Sequence, residues 1–173
     1  MIVLIPVGEV KEATVKALGR SLALVFEQRT RIGDRMPLLR ESWNQHRGQH
    51  LASLLLADLP SLLHLGDRVL GVVDVDIFAP GLNFVFGEAD ITGKRALISL
   101  QRLRQEFYGL PPNEKLFRER VLKEAVHELG HTYGLGHCPD PTCVMHFSNS
   151  LPDTDLKGWN FCLNCQEKVN RKV

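Results

Sequence analysis

Continuous apolar segments and helically periodic segments alternate along the first two-thirds of the chain. Residues 1–7 form an uninterrupted apolar run with β-branched side chains, which predicts a strand buried on both faces. The apolar positions of residues 11–28 recur at helical spacing, so these two segments predict the start of a βα unit. The remaining segments predict strands over 30–36, 68–81, 82–90 and 95–100, and helices over 50–63 and 113–134.

Proline, glycine and asparagine indicate where several of these elements begin or end. Pro60 interrupts or ends the helix predicted over 50–63, because proline lacks the amide hydrogen that a helix interior needs. Asn113 follows two prolines and is a candidate N-cap for the longest predicted helix. Gly134 is expected to end that helix, because glycine adopts the left-handed conformation most easily.

The alternation of strands and helices favours an α/β sandwich of one domain. A chain of 173 residues is typical of a single domain with a real core, and its 44% hydrophobic and 24% charged residues are those of a soluble globular protein. Periodicity is weak after Gly134. We therefore expect an N-terminal subdomain over residues 1–134 and a short irregular C-terminal subdomain over residues 135–173.

Charge and hydropathy exclude some classes of partner. The formal net charge is +1, so no long-range field favours nucleic acid or an anionic membrane. The apolar runs are too short to span a bilayer, and the N-terminus has neither a basic leader nor a small-residue cleavage site. These features predict a cytoplasmic protein, which we expect to be a monomer, with no membrane or nucleic-acid partner.

The sequence HELGHTYGLGHC, residues 127–138, carries the strongest chemical signal. His127 and His131 are four residues apart and lie on one face of an ideal helix, while Glu128 lies about 100° further round. After the turn at Gly134, His137 can approach from a different direction. Three histidines that leave one position open are typical of a catalytic zinc site.

This arrangement predicts metal-assisted hydrolysis of an amide, most plausibly a peptide bond. Glu128 would accept a proton from the attacking water and pass it to the leaving amine. The alternative is a solvated helix face that Arg120 and Glu124 share with the histidines. A second pair at the same spacing, His46 and His50, has no glutamate and no third ligand, and we interpret it as a surface pair.

The cysteines are confined to the C-terminal segment. They occur as Cys138-x4-Cys143 and Cys162-x2-Cys165, with none before Cys138. Two disulfides and a four-cysteine zinc site are both compatible with this spacing. A reducing compartment favours the zinc site.

The extended motif HExxHxxGxxH, followed by these cysteines and by Met145, resembles the archaemetzincin family of metzincin zinc metallopeptidases. The segments 73–90 and 95–109 also resemble this family. The resemblance implies a metzincin-like zincin domain, with a mixed twisted sheet, backing helices, an active-site helix and a zinc-stapled C-terminal subdomain. It implies a peptide or protein substrate, and an edge strand that pairs with the substrate, for which residues 82–90 are the candidate.

The resemblance also assigns roles to individual residues, with two Zn²⁺ per chain. Glu128 is implied as the general base, and Met145 as the Met-turn methionine that packs under the zinc ligands. The implied ligands of the catalytic zinc are His127, His131 and His137, and those of the structural zinc are Cys138, Cys143, Cys162 and Cys165. One departure is Phe147, because some metzincins carry a tyrosine at this position and phenylalanine has no hydroxyl for a transition-state oxyanion.

Two other functions stay open at this point. A non-catalytic zinc protein could use its metals to hold a binding surface, although such a site has no need of Glu128. A family of metal-dependent endoribonucleases shares the H-x3-H-x5-H spacing but lacks this glutamate and the cysteines. The near-neutral charge also argues against RNA binding. Three aspartates could suggest calcium but are more typical of strand ends and turns: Asp74, Asp76 and Asp90.

Overall fold

The computed structural model describes residues 1–60 and 67–171. The strands are β1 (Ile2–Val7), β2 (Thr30–Ile32), β3 (Trp43–Asn44), β4 (Gln49–Leu51), β5 (Arg68–Val73), β6 (Ile77–Phe78), β7 (Gly87–Asp90) and β8 (Arg95–Ser99). The helices are α1 (Glu12–Phe26), α2 (Ala52–Asp58), α3 (Glu114–Thr132), α4 (Leu151–Leu156) and α5 (Leu163–Asn170). Short 3₁₀ turns occupy Arg40–Ser42, Gln101–Leu103 and Gln105–Tyr108.

A five-stranded sheet with the order β2-β1-β5-β8-β7 forms the centre of the molecule. All neighbours are parallel except β7, which runs antiparallel to β8 and lies at the edge. β1 and β5 are buried along their whole length, as expected for parallel strands with both faces covered. Ile2, Leu4 and Leu70 pack on one face with α1 and α3, and Val3, Val69 and Leu97 pack on the other with α2.

α3 is buried around most of its circumference. Asn113 caps its N-terminus, where the side-chain oxygen accepts a hydrogen bond from the amide of Leu116 at 3.0 Å. After its C-terminus Gly134 has a φ of 80°, as expected for a left-handed turn. Arg120 and Glu124 are only 4% and 3% exposed, so the alternative that they belong to a solvated face of the helix is wrong.

The C-terminal segment covers the polar side chains of α3. Arg120 donates two hydrogen bonds of 2.6 Å to Asp155 in α4, and Lys123 donates to the carbonyl of Thr154 in the same helix at 3.0 Å. Bidentate arginine–carboxylate contacts are geometrically specific, so they fix α4 against α3. The segment after residue 134 also contains α4 and α5, which the weak periodicity did not predict.

Several elements differ from the sequence-based expectations. Residues 68–81 were expected as one strand, but they form β5 and β6 in different sheets, because β6 leaves the central sheet and pairs with β4. Only residues 87–90 of the predicted strand 82–90 are extended in the sheet. The helix predicted over 50–63 covers 52–58, and residues 61–63 lie outside the described part of the chain.

The second sheet, with the order β3-β4-β6, was not predicted because its strands have two or three residues each. It buries His50, whose Nδ1 lies 2.7 Å from the Ser42 hydroxyl, so the interpretation of His50 as a surface residue is wrong. His46 is exposed, as expected. Within 1–60 and 67–171, no helix combines the length and the apolar composition needed to cross a bilayer.

Candidate active site and metal centres

The three predicted histidines come together at the C-terminal end of α3. His127 and His131 project from successive turns, and their Nε2 atoms are 3.1 Å apart. His137 follows the turn at Gly134, and one nitrogen from each of the three rings lies within 4.8 Å of the other two. His127 is buried, whereas His137 is exposed, so the cluster is closed towards the core and open towards the solvent.

Backbone carbonyls orient the two helical imidazoles. The Nδ1 of His127 lies 2.8 Å from the carbonyl oxygen of Val144, and the Nδ1 of His131 lies 2.8 Å from that of Leu135. A carbonyl oxygen accepts a hydrogen bond from Nδ1–H, which keeps the proton on Nδ1 and leaves the lone pair of Nε2 free for a metal. Burial lowers the pKa of all three rings, and for His127 it does so strongly, with the ammonium of Lys157 as a further cause. Burial therefore favours the neutral form of the rings, the form that binds a metal.

The spacing of these donors fits zinc. At tetrahedral geometry, zinc–nitrogen bonds of about 2.0–2.1 Å place two nitrogens about 3.3 Å apart. The 3.1 Å between the Nε2 atoms of His127 and His131 is close to that value. Three nitrogen donors on the open side of a cleft also leave a fourth position for water or substrate, and this donor set suits zinc.

Glu128 lies beside the histidines under the edge strand. Its side chain lines the cleft, and no group in the described ranges donates a hydrogen bond to its carboxylate. Burial raises the pKa of Glu128 well above its usual value, and the nearby carboxylate of Glu124 adds to this effect. A dication bound nearby would instead lower the pKa of Glu128. The carboxylate is thus free to receive a proton from a water molecule in the cleft.

Two glycines allow this close packing. A Cβ at Gly87 would lie 2.6 Å from the Cγ of Glu128 and 2.6 Å from the carbonyl oxygen of Leu97, so only glycine lets β7 pass over the glutamate. A Cβ at Gly130 would overlap the sulfur of Met145. Met145 is fully buried, and its sulfur lies beside Gly130, which directly precedes His131 in the chain. Neither glycine was singled out from the sequence, although Gly130 lies inside the HELGH motif.

The walls of the cleft combine apolar and polar side chains. The segment 82–87 forms one side, and Phe147 forms the other, with its ring 4.8 Å from that of His137. Arg47 holds the first side in place by donating hydrogen bonds to the carbonyls of Leu82 and Asn83, at 2.8 and 2.9 Å. The predicted strand 82–90 therefore divides into two parts. Residues 87–90 form β7 at the edge of the sheet, and residues 82–86 line the cleft.

The four cysteines form a second cluster. One sulfur from each lies within 4.8 Å of the others, and the Sγ atoms of Cys138 and Cys162 are 3.8 Å apart. Zinc–sulfur bonds of about 2.3 Å in a tetrahedron place sulfurs about 3.8 Å apart. All four thiols are free, which contradicts the two-disulfide alternative. Burial raises the pKa of the Cys143 and Cys165 thiols, an effect that a metal cation would counter.

The cysteine cluster is connected directly to the histidine cluster. Cys138 follows His137 in the chain, and its amide donates a hydrogen bond of 2.9 Å to the carbonyl of Met145. The amide of Val144 donates to the carbonyl of Asn160 at 2.9 Å. A metal bound to the cysteines would therefore fix the two segments that supply His137 and the buried methionine.

Sequence comparison decides the family. The sequence model of peptidase family M54 matches residues 10–171 of the chain. The chain belongs to peptidase family M54. Membership in this family makes it a metallopeptidase, and it confirms the resemblance to the archaemetzincins that the motif indicated.

Related proteins agree with this assignment over nearly the whole chain. The archaemetzincin of Methanocaldococcus jannaschii is 49% identical, over 95% of this chain and 89% of the relative. The crystal structure of the archaemetzincin of Archaeoglobus fulgidus in complex with malonate has a TM-score of 0.86 at 39% identity, covering 97% of this chain and 99% of that one. A zinc-dependent peptidase of Methanocorpusculum labreanum has a TM-score of 0.88 at 29% identity, covering 98% and 100%. The predicted mixed α/β fold is confirmed.

Gly87→Ala is expected to lower the kcat/KM of peptide hydrolysis at least about tenfold. The new methyl group must displace either Glu128 or the edge strand, and misplacement by about 1 Å can cost a reaction 100-fold. The measurement is kcat/KM together with zinc content. Gly136→Ala is the control, because a Cβ there has open space and φ lies outside the left-handed region. Wild-type kcat/KM in Gly87→Ala would contradict this account of the edge strand.

Proposed function

We propose that this metallopeptidase is zinc-dependent, that His127, His131 and His137 bind the catalytic zinc, and that Glu128 is the general base. The observation that carries the proposal is the convergence of three imidazoles and an unpaired carboxylate in one open cleft. A zinc-dependent peptidase with the same fold supports the choice of metal. The proposed reaction is hydrolysis of a peptide bond.

Each residue has a distinct part in this mechanism. When bound, zinc polarises the substrate carbonyl and lowers the pKa of a coordinated water to about 7. Glu128 accepts the proton from the attacking water and then delivers it to the leaving amine. The carbonyls of Val144 and Leu135 keep two of the imidazoles oriented throughout. The free edge of β7 binds the substrate backbone in extended form.

We further propose a second, structural zinc held by Cys138, Cys143, Cys162 and Cys165. The 3.8 Å between two of these sulfurs and the four free thiols support it. In this proposal the chain is one domain, in which residues 1–134 supply the sheet and the active-site helix. Residues 135–173 are fixed by the second metal. We propose that the protein acts as a cytoplasmic monomer on peptides or proteins, without a nucleic-acid or membrane partner.

The test is zinc content and hydrolysis in wild type, His131→Ala and His46→Ala. We expect about two zinc ions per chain in wild type, about one in His131→Ala, and hydrolysis of a mixed peptide library only where both ions are bound. His46→Ala removes an exposed histidine from the other i, i+4 pair and should match wild type in both measurements.

Two results would contradict the proposal. One is a zinc content that His131→Ala leaves unchanged, since the histidines would then bind no metal. The other is two bound zinc ions without hydrolysis of any peptide, which would favour a zinc-stabilised binding module. Degradation of RNA at low salt, lost in His131→Ala, would instead support the endoribonuclease alternative.

A further inference from the structure

The catalytic cleft continues past the histidines to a polar inner end. The cavity has a volume of about 370 Å³, and Phe84 and Phe86 contribute apolar wall. Three polar side chains also line it: Glu124, Lys157 and Ser148. Glu124 and Lys157 are 3% and 2% exposed, so they lie at the buried end of the cavity. None of these three was singled out as a site residue from the sequence.

Glu124 has unused hydrogen-bonding capacity. Its Oε1 lies 3.4 Å from the ammonium of Lys157 and accepts from the hydroxyl of Thr154 at 3.3 Å. Its Oε2 receives no hydrogen bond from any residue in 1–60 or 67–171. An ionised carboxylate can accept about four hydrogen bonds, and a buried carboxylate is costly unless its oxygens are paired. A ligand that donates to Oε2 would therefore be favoured.

Ser148 supplies a second unpaired group in the same cavity. Its Oγ is buried and has no hydrogen-bond partner among the described residues. A hydroxyl oxygen can accept from a donor just as a carboxylate can. Native proteins leave few buried polar atoms unpaired, so the Ser148 hydroxyl, in the same cavity as the unbonded oxygen of Glu124, indicates a missing partner.

Lys157 is committed to the protein. Its ammonium donates to the carbonyl of His146 at 3.2 Å, pairs with Glu124 at 3.4 Å and lies 3.5 Å from the Nδ1 of His127. Two of its donors thus have protein acceptors, the carbonyl of His146 and Glu124 Oε1, whereas Glu124 Oε2 has no donor among the described residues. The unused hydrogen-bonding atoms at the inner end of the cavity are therefore acceptors, and a ligand that carries hydrogen-bond donors would pair with them.

We propose that this cavity selects a basic side chain, lysine or arginine, at a substrate position next to the scissile bond. The aliphatic stem packs against Phe84 and Phe86, and the cation donates to Glu124 Oε2 and Ser148 Oγ. The inference rests on the proposed function, because it assumes that the cleft binds peptides. It goes beyond the proposed function by naming the type of substrate side chain that determines which peptides are cleaved.

The test uses peptides that differ at one position beside the scissile bond, carrying lysine, arginine, norleucine, glutamine or glutamate. With the zinc-loaded wild type we expect kcat/KM at least about tenfold higher for lysine than for norleucine, as charged hydrogen bonds to a buried carboxylate allow. Glu124→Gln should reduce this ratio severalfold. Equal rates for lysine and norleucine, or a preference for glutamate, would overturn the inference.

A second variant covers the case in which Glu124→Gln does not fold, because it leaves Lys157 buried without a counter-ion. The double variant Glu124→Leu, Lys157→Met removes both charges and keeps similar volumes. We expect it to prefer norleucine over lysine. A lysine preference that survives in the double variant would show that the cation binds elsewhere.

A binding measurement separates this inference from the proposed function. Lysine hydroxamate and norleucine hydroxamate are titrated by calorimetry into zinc-loaded wild type and into the double variant. We expect about tenfold tighter binding of the lysine compound to wild type alone. If no peptide is cleaved but this preference holds, the peptidase mechanism fails and the cavity assignment stands. If peptides are cleaved and neither assay shows a preference, only the cavity assignment fails.

Discussion

Glu128→Gln is expected to lower kcat for peptide hydrolysis at least about 1000-fold while zinc content stays at the wild-type value. The amide keeps the size of the side chain but cannot accept the proton of the attacking water. Loss of a positioned general base typically costs 100- to 10,000-fold. The structure favours the upper part of this range, because Glu128 is buried against the edge strand, whereas the other carboxylate in the cleft, Glu124, is already paired with Lys157.

The control for this variant is Glu114→Gln, in the first turn of the same helix. Glu114 is exposed and pairs with Arg118 at 3.6 Å, a surface contact worth little. Both rate and zinc content should be unchanged. Zinc is measured in the same samples by atomic absorption. If Glu128→Gln kept wild-type kcat with its zinc bound, the proton would be taken by another group and the mechanism would be wrong.

The local parts of the site were predictable from sequence because their geometry is set by helix periodicity. His127 and His131 are four residues apart, which places them on one face whatever surrounds the helix. Gly134 ends the helix for reasons of backbone sterics alone. The motif therefore predicted the relative positions of the histidines before any tertiary contact was known.

The parts that depend on distant segments were not predictable in the same way. Glu124 was considered solvent-exposed because periodicity contains no information about the segment 150–157 that covers it. Lys157 follows Glu124 by 33 residues and has no local pattern that indicates burial. Gly87 is required by the approach of β7 to Glu128, which only the tertiary fold creates. His50 was misassigned for a related reason, since β3 and β4 are too short for a periodic signal.

If the cysteine cluster binds the proposed second zinc, it gives the C-terminal segment a stability that the packing of its side chains alone would not provide. Its helices have six and eight residues, shorter than an isolated helix needs in water. Several of its large apolar side chains are exposed, including Leu156 and Leu163 at 81% and 87%. The segment nevertheless carries His137 and covers α3. Folding of the active site therefore depends on whatever holds the cysteines together.

Cys165→Ser is expected to remove one zinc ion per chain and to lower the melting temperature by about 10 °C. Serine is a poor zinc ligand, and Cys165 is buried, so water cannot easily take its place. Metal binding by such clusters is worth many kcal/mol in small domains. This chain also has a large core of its own, so we expect only the C-terminal segment to loosen. A loss of about 4 kcal/mol corresponds to roughly 10 °C in a domain of this size.

Hydrolysis should be lost in the same variant although Cys165 is not in the cleft. Loosening the cluster frees Cys138, and with it His137 and the hydrogen bond to Met145. His146→Ala is the matched control, because it removes a 2.9 Å hydrogen bond to the Cys138 carbonyl without removing a thiolate. It should keep two zinc ions and lose only a few degrees. If Cys165→Ser kept both zinc ions and its melting temperature, Cys165 would not be a zinc ligand, and the proposed four-cysteine site would be wrong.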